Sequence, residues 1–136
     1  MIRKIIKGEM IFNHKARKAT IHDLPIGIDL LDTLKHNQEY CVGMAGNMIG
    51  EDVAIIVFQN QKDYKIMYNP EIIKKSDPYY DHESCLSLKG QREVKRYKNI
   101  KVKYQDEQFK NRIHSYDGFV AQIIQHEIDH LDGIII

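Results

Sequence analysis

The segment His126-Glu127-Ile128-Asp129-His130, near the end of the chain, constrains its fold and chemistry more than any other feature. Two histidines four residues apart lie on one face of an α-helix, and the carboxylate of Glu127 lies next to the first of them. Such a helix can bind one metal ion through both imidazoles and keep a carboxylate close to a water on that ion. The alternative interpretation is a pair of surface histidines on an amphipathic helix.

Apolar residues fill the two stripes of this helix that contain the histidines, namely Phe119, Val120, Ile123, Ile124 and Leu131. We therefore expect both imidazoles to point into the protein, where a polar group without a partner is costly. Ser115 or Asp117 can cap the start of the helix, and Gly133 is expected to end it as a C′ glycine.

The two histidines need a third protein ligand, and the pattern of residues leaves its identity open. Only residues 131–136 follow His130, so the ligand is expected upstream. The candidates are Cys85, the carboxylates and the five other histidines, and a thiolate is the strongest ligand among them for a borderline metal. Those histidines lack a partner at ligand spacing and are expected not to bind: His14, His22, His36, His82 and His114.

Three motifs resemble those of the peptide deformylases and occur in that family's order. Glu83-Ser84-Cys85-Leu86-Ser87 resembles the second motif, and Gln125-His126-Glu127-Ile128-Asp129-His130-Leu131 resembles the third. Residues 41–50 are similar to a degenerate form of the first motif. The resemblance covers nearly the whole chain. It implies a metal-dependent hydrolase that removes the N-formyl group from the N-terminal methionine of newly made proteins and releases formate.

The resemblance also implies a role for each motif residue. Cys85, His126 and His130 would bind one divalent metal ion and leave a fourth position open for water. Glu127 would take a proton from that water and pass it to the leaving nitrogen, and the backbone N–H of Leu86 would stabilise the oxyanion. Ferrous iron is the implied metal in the cell, although zinc, nickel and cobalt suit the same ligands.

The first motif departs from the family pattern at the second oxyanion donor. Met48 stands where the family has a glutamine, and a thioether has no N–H to donate. The neighbouring Asn47 carries an amide, but in an extended segment its side chain would point to the opposite face. We therefore expect a working enzyme with a weakened or rearranged oxyanion site. The alternatives are a non-catalytic or impaired metal-binding relative and a small metalloprotease, and the position of Cys85 argues against the protease.

Substrate contacts are also implied by the resemblance. In the family the first motif runs beside the peptide as an extended edge, which by position assigns Val42 and Gly43 to backbone pairing with the substrate. Arg92 aligns with an arginine that lines the family's substrate site. Glu83 and Asp129 are candidates for orienting the metal ligands or balancing their charge, and a surface position is the alternative for Asp129. The implied partners are the formylated N-termini of nascent chains, and the ribosome is a further candidate.

Composition indicates a chain with an ordinary soluble surface. The net charge is +1 with 29% charged residues, which gives no electrostatic argument for nucleic acid or membrane as a partner. No N-terminal apolar run is long enough for a signal peptide, so we expect a cytoplasmic protein with reduced cysteines. At this length residues 1–136 are expected to form one peptide-deformylase-like domain.

The hydrophobic pattern predicts an α+β fold in which antiparallel strands pack around a central C-terminal helix that carries His-Glu-x-x-His. A helix is expected to begin at Asp23, with Asp23 as its cap, and to end near His36. Strands are predicted at residues 53–58, 64–68, 94–97, 100–104 and 109–114. The polar residues 74–78 are predicted to form a solvated loop.

Overall fold

Five antiparallel strands form one sheet, and two α-helices pack against it, in the computed structural model of residues 1–136. The strands follow one another across the sheet in chain order: β1 Gly43–Ala45, β2 Ile55–Asn60, β3 Asp63–Glu83, β4 Arg92–Gln105 and β5 Asn111–Asp117. The helices are α1 Leu24–His36 and α2 Gly118–Leu131. Three short 3₁₀-helices cover Glu9–Phe12, Ile21–Asp23 and Gly46–Ile49. This architecture confirms the α+β class and the central C-terminal helix.

The apolar run in β2 is buried on both of its faces. Successive side chains of a strand point to opposite sides of the sheet. Ile55 and Val57 belong to the core that contains α1, whereas Ile56 and Phe58 belong to the core that contains α2. A continuous apolar sequence is expected in a strand that has a helix on each face, and the prediction of a buried strand here is confirmed.

A glycine in α1 allows this helix to approach β3 closely. The hydroxyl of Tyr68 on β3 donates a hydrogen bond of 2.9 Å to the carbonyl oxygen of Leu24. A Cβ atom at Gly27 would lie 2.0 Å from that hydroxyl, so only glycine fits between helix and strand. Asp23 stands at the N-cap position but its side chain caps no N–H of α1. Its carboxylate accepts hydrogen bonds from the backbone N–H of Thr20 and from Arg17 instead. The predicted N-cap position is therefore correct, but the expected hydrogen bond to α1 is wrong.

The strands β3 and β4 form a longer hairpin than the sequence predicted. Residues 74–78, expected to be a loop, lie within β3, where Lys74 pairs with Lys101 and Pro78 pairs with Tyr97. The prediction was wrong because it rested on local polarity, whereas pairing with β4 satisfies the backbone of this exposed part of the sheet. The pairing of β3 with β4 is irregular near residues 68–74, where its register shifts twice. Residues 94–97 and 100–104, predicted as two strands, both lie within the single strand β4.

Helix α2 ends just before Gly133, as the sequence predicted. Gly133 has φ 78°, in the left-handed region, and its N–H donates to the carbonyl oxygen of His130 at 3.1 Å. The N–H of Ile134 donates to the carbonyl oxygen of Asp129 at 2.9 Å, which completes a Schellman motif. At the other end Asp117 is the N-cap residue without a side-chain cap bond, and Ser115 lies in β5. Neither α-helix has the length and apolar character that crossing a bilayer requires.

Candidate active site

Three side chains of the expected metal-binding set lie together in the structure. One potential ligand atom on each of Cys85, His126 and His130 lies within 4.8 Å of the others. The Nε2 atoms of the two histidines are 3.0 Å apart. His130 is completely buried, and its ring stacks on that of Phe12 with the centroids 4.2 Å apart. Both imidazoles therefore point inward from α2, towards the cysteine loop that follows β3.

The chemistry of this cluster fits a divalent metal ion. Burial lowers the pKa of His130 to about 3, so its ring is neutral, which is the form that binds a metal. Burial also lowers the pKa of His126, but hydrogen bonds to Cys85 and Glu83 outweigh this effect and raise it to about 10. An ion binding there competes with a proton. Beside the cluster, the buried Oε1 atom of Glu127 has no hydrogen-bond partner within the protein. A water on an ion would satisfy this atom.

Glu127 lies against the backbone of the first motif. Its side chain is buried, with 4% exposure, and burial raises its pKa to about 7. A Cβ atom at Gly43 would lie 2.9 Å from Oε2 of Glu127 and 2.7 Å from Ile123, so glycine gives the carboxylate its place. A carboxyl group whose pKa is close to neutrality is suited to general acid–base catalysis.

A buried ion-pair network fixes the ring of His126. The Nδ1–H group of His126 donates to Glu83 at 2.7 Å, which leaves Nε2 directed towards the cluster. Arg96, with 4% side-chain exposure, is 2.7 Å from a carboxylate oxygen of Glu83 and 2.7 Å from one of Asp129. The structure thus places Glu83 and Asp129 where they can orient the site, as the sequence suggested.

Arg96 belongs to this network although the sequence did not single it out. It lies on the same face of β4 as the buried Val94, so the two-residue alternation of the strand pointed to a buried arginine. Burial alone would raise the pKa of Glu83, but hydrogen bonds from His126, Arg96 and Gln122 lower it to about 2. The carboxylate is therefore ionised whenever the protein is folded near neutral pH.

A cleft of about 460 Å³ opens over the cluster. Its wall includes the expected residues Val42, Gly43, Met48, Cys85, Leu86, His126 and Glu127, and its rim carries the exposed side chains of Tyr40 and Phe119. On one side it is bounded by β1, which lies at the edge of the sheet and pairs only with β2. The free edge of β1 offers backbone groups to an extended peptide.

Met48 and Asn47 differ in what they present to this cleft. Residues Gly46–Ile49 form a 3₁₀-helix, so the expectation of an extended segment was wrong. The side-chain amide of Asn47 donates to the carbonyl oxygen of His130 at 2.8 Å and is turned towards α2, because the helical turn directs it there. The side chain of Met48 is 1% exposed and lines the cleft. No side-chain amide from the first motif therefore faces the site.

Arg92 lies outside the cleft. It lines a neighbouring recess formed by the N-terminal segment and the cysteine loop, where its guanidinium is 3.9 Å from the carboxylate of Glu9. Leu86 lines both the cleft and this recess. Arg92 is the first residue of β4, and its side chain is directed to the N-terminal segment, so its role in substrate binding stays a prediction.

The remaining histidines and the second cysteine do not join the cluster. His14 pairs with Asp52 at 2.7 Å, and His82 lies on the cleft wall, 3.9 Å from Glu93. Both cysteines are free thiols, and Cys41 donates to the carbonyl oxygen of Gly43.

Comparisons with known proteins identify the family. The family model described as "Polypeptide deformylase" matches residues 4–136. The peptide deformylase of Clostridium beijerinckii is 48% identical over 136 residues, which cover 100% of both chains. That of Dictyoglomus thermophilum is 37% identical, covering 100% of this chain and 91% of the relative.

Solved structures agree with these relatives. The crystal structure of peptide deformylase from Thermotoga maritima has a TM-score of 0.89 at 26% identity, and the match covers 99% of this chain and 95% of that one. The Acinetobacter baumannii peptide deformylase bound to Met-Ala-Ser also has a TM-score of 0.89, at 25% identity, with 99% and 97% covered. The fold, the cluster at its centre and these matches together place the chain in the polypeptide deformylase family.

Proposed function

We propose that this chain is a working deformylase, which hydrolyses the formyl amide at the N-terminal methionine of newly made proteins and releases formate. One observation carries the proposal: Cys85, His126 and His130 converge at a cleft beside the buried carboxylate of Glu127. The family is metal-dependent, and the donor set of this cluster suits a divalent ion.

Cys85, His126 and His130 would hold the ion in this proposal. Because Nδ1 of His126 donates to Glu83, its Nε2 atom is free to bind. When bound, a divalent ion makes water acidic enough to attack near neutral pH and polarises the formyl carbonyl group. We propose ferrous iron in the cell, with zinc, nickel and cobalt suiting the same three ligands.

Glu127 would move the proton during hydrolysis. The carboxylate takes one proton from the attacking water, whose oxygen forms a bond to the formyl carbon. The same proton passes to the amide nitrogen as the carbon–nitrogen bond breaks. One water molecule is consumed, and the products are formate and a free N-terminal amine. The elevated pKa of Glu127 suits both halves of this transfer.

The backbone N–H of Leu86 would stabilise the oxyanion that forms when water adds to the carbonyl carbon. Removal of one oxyanion-hole donor costs about 2.7–4 kcal/mol in well-studied enzymes. The position of Met48 on the cleft wall offers no donor, so this site would depend on Leu86 and the ion.

The peptide would lie along the edge of β1, with its backbone paired to Val42 and Gly43. A chain that passes Leu86 would enter the neighbouring recess, where Arg92 can meet a later part of the substrate. Formylated N-termini are made on ribosomes, so we propose action in the cytoplasm on nascent chains, with the ribosome as a candidate partner. The ribosome is proposed because it makes the formylated chains on which the enzyme would act.

Formate release from an N-formylmethionyl peptide tests the proposed function, with the protein prepared and loaded with ferrous iron without oxygen. Formate supports a deformylase, cleavage of an internal peptide bond supports a protease, and neither product supports the non-catalytic alternative. Glu127→Gln keeps the shape of the side chain and removes the base, so its rate should fall by about 10²–10⁴-fold. Undiminished turnover in this variant would remove Glu127 from the mechanism.

A further inference from the structure

The N-terminal segment Ile6 to Gly8 joins the two loops that border the candidate active site. The N–H of Ile6 donates to the carbonyl oxygen of Met48 at 2.9 Å, and the N–H of Gly8 donates to that of Ser87 at 2.7 Å. Between them, the ammonium group of Lys7 donates to the carbonyl oxygen of Leu86 at 2.6 Å. The first motif and the cysteine loop are thus tied to one short piece of chain.

The contact of Lys7 falls on a particular peptide unit. The carbonyl group of Leu86 and the N–H of Ser87 belong to one planar amide, in which they point in opposite directions. That N–H donates to the sulfur of Cys85 at 3.4 Å. The ammonium group, the amide and the sulfur therefore form one chain of hydrogen bonds. A cation at the oxygen of an amide polarises the unit and makes its N–H a stronger donor.

We propose that Lys7 is a positioning residue: it holds the Leu86–Ser87 amide with its N–H on the sulfur of Cys85 and strengthens that hydrogen bond. This inference rests on the proposed function, in which the sulfur is a metal ligand. Hydrogen bonds to a ligand sulfur reduce the electron density that it gives to the ion. The preceding amide, which carries the N–H of Leu86, has a contact of its own: its carbonyl group, that of Cys85, accepts from the N–H of Leu88 at 3.1 Å.

Substitutions at position 7 separate this role from a general effect on the surface. Lys7→Met removes the ammonium group and keeps an unbranched stem, whereas Lys7→Arg keeps a cation that can reach the carbonyl oxygen. Lys4→Met is the matched control, because Lys4 is also an exposed lysine and lies three residues before Lys7. A second variant, Lys7→Gln, keeps a neutral donor and should give an intermediate result.

The readout is the sulfur-to-cobalt charge-transfer band of protein loaded with Co²⁺, together with kcat and KM for formate release. In Lys7→Met we expect the band at longer wavelength, because sulfur electrons are held less tightly without the strengthened hydrogen bond. We also expect a kcat about tenfold lower, with KM little changed. Lys7→Arg and Lys4→Met should retain the wild-type band and rate.

An unmoved band in both Lys7→Met and Lys7→Gln would overturn the proposed role of Lys7. So would an equal shift in Lys4→Met. If the wild-type protein releases no formate, the proposed function fails, but the band still reports the effect of Lys7 on the sulfur. The two failures are therefore distinguishable.

Discussion

Met48 is the residue whose chemistry departs furthest from what the site needs. Its side chain lines the cleft at 1% exposure and has no N–H, while the side-chain amide of the preceding residue, Asn47, donates to the carbonyl oxygen of His130. A glutamine at position 48 could direct an amide to the oxyanion. The oxyanion site can therefore be tested by restoring one side chain.

For Met48→Gln we expect kcat to rise by about 10²-fold, since the variant adds one preorganised donor. The buried amide should lower the free energy of unfolding by about 1–3 kcal/mol when no substrate satisfies it. Formate release and thermal unfolding measure the two effects. Met44→Gln is the control, because Met44 is completely buried but lies outside the cleft. It should lose stability without gaining rate, and an unchanged kcat in Met48→Gln would show that the oxyanion site is not weakened.

The two histidines of the cluster were predictable because their spacing reflects helix geometry, whereas Cys85 was assigned through the resemblance of its motif. His126 and His130 share one face of α2 wherever the helix lies in the fold, because residues four apart are neighbours on a helix surface. Arg96 was missed because a charged residue in a strand is usually exposed, and only its pairing with Glu83 and Asp129 makes burial favourable. The direction of Arg92 depends on where β4 begins, which local sequence does not determine.

At the scale of elements, the contact between α1 and β3 depends on the absence of a side chain at Gly27. In Gly27→Ala the added Cβ would meet the ring of Tyr68, so helix and strand must move apart. We expect a loss of about 1–3 kcal/mol in the free energy of unfolding, measured by denaturant titration. Tyr68→Phe removes the hydroxyl that lies 2.0 Å from the added carbon, so the double variant should be more stable than the sum of the two single losses predicts. Strict additivity would contradict this account of the contact.

The turn before α1 makes the fold sensitive to acid. The hydrogen bond from Arg17 lowers the pKa of Asp23 from 3.8 to about 2. Because the folded state holds this carboxylate ionised, its contribution is complete above pH 3.8 and is lost as the pH falls towards about 2. The melting temperature of Asp23→Asn should therefore depend less on pH in this window than that of the wild type. Asp63→Asn, which removes an exposed carboxylate, serves as the control, and parallel pH curves for wild type and Asp23→Asn would exclude the effect.

The strands β2 and β3 differ in how clearly the local sequence predicts them. The strand β2 was predicted because an apolar run flanked by polar residues needs burial on both faces, whatever its partners. The middle of β3 was not, because residues 74–78 are held by pairing with β4 and not by their own propensity. Non-local pairing of polar strands leaves little trace in the local sequence.

The whole molecule brings its candidate site together from distant parts of the chain. Helix α2 supplies two imidazoles and the carboxylate, the loop after β3 supplies the thiol, and the edge of β1 supplies a backbone for the substrate. An ion bound by these groups would link α2 to the cysteine loop. Because the three ligands converge only in the folded state, the ion should stabilise the fold by mass action.

Removal of the metal with a chelator should therefore lower the melting temperature, by about 10 °C if the free ion had stood at 100 times its dissociation constant. Cys85→Ser loses the thiolate that joins the loop to α2, so its melting temperature should respond much less to chelation. Glu127→Gln keeps all three ligands, and its response should match that of the wild type. A drop in Cys85→Ser as large as in the wild type would mean that the ion binds elsewhere. Loss of the response in Glu127→Gln would instead make the carboxylate part of the binding site, which would contradict its role as the base.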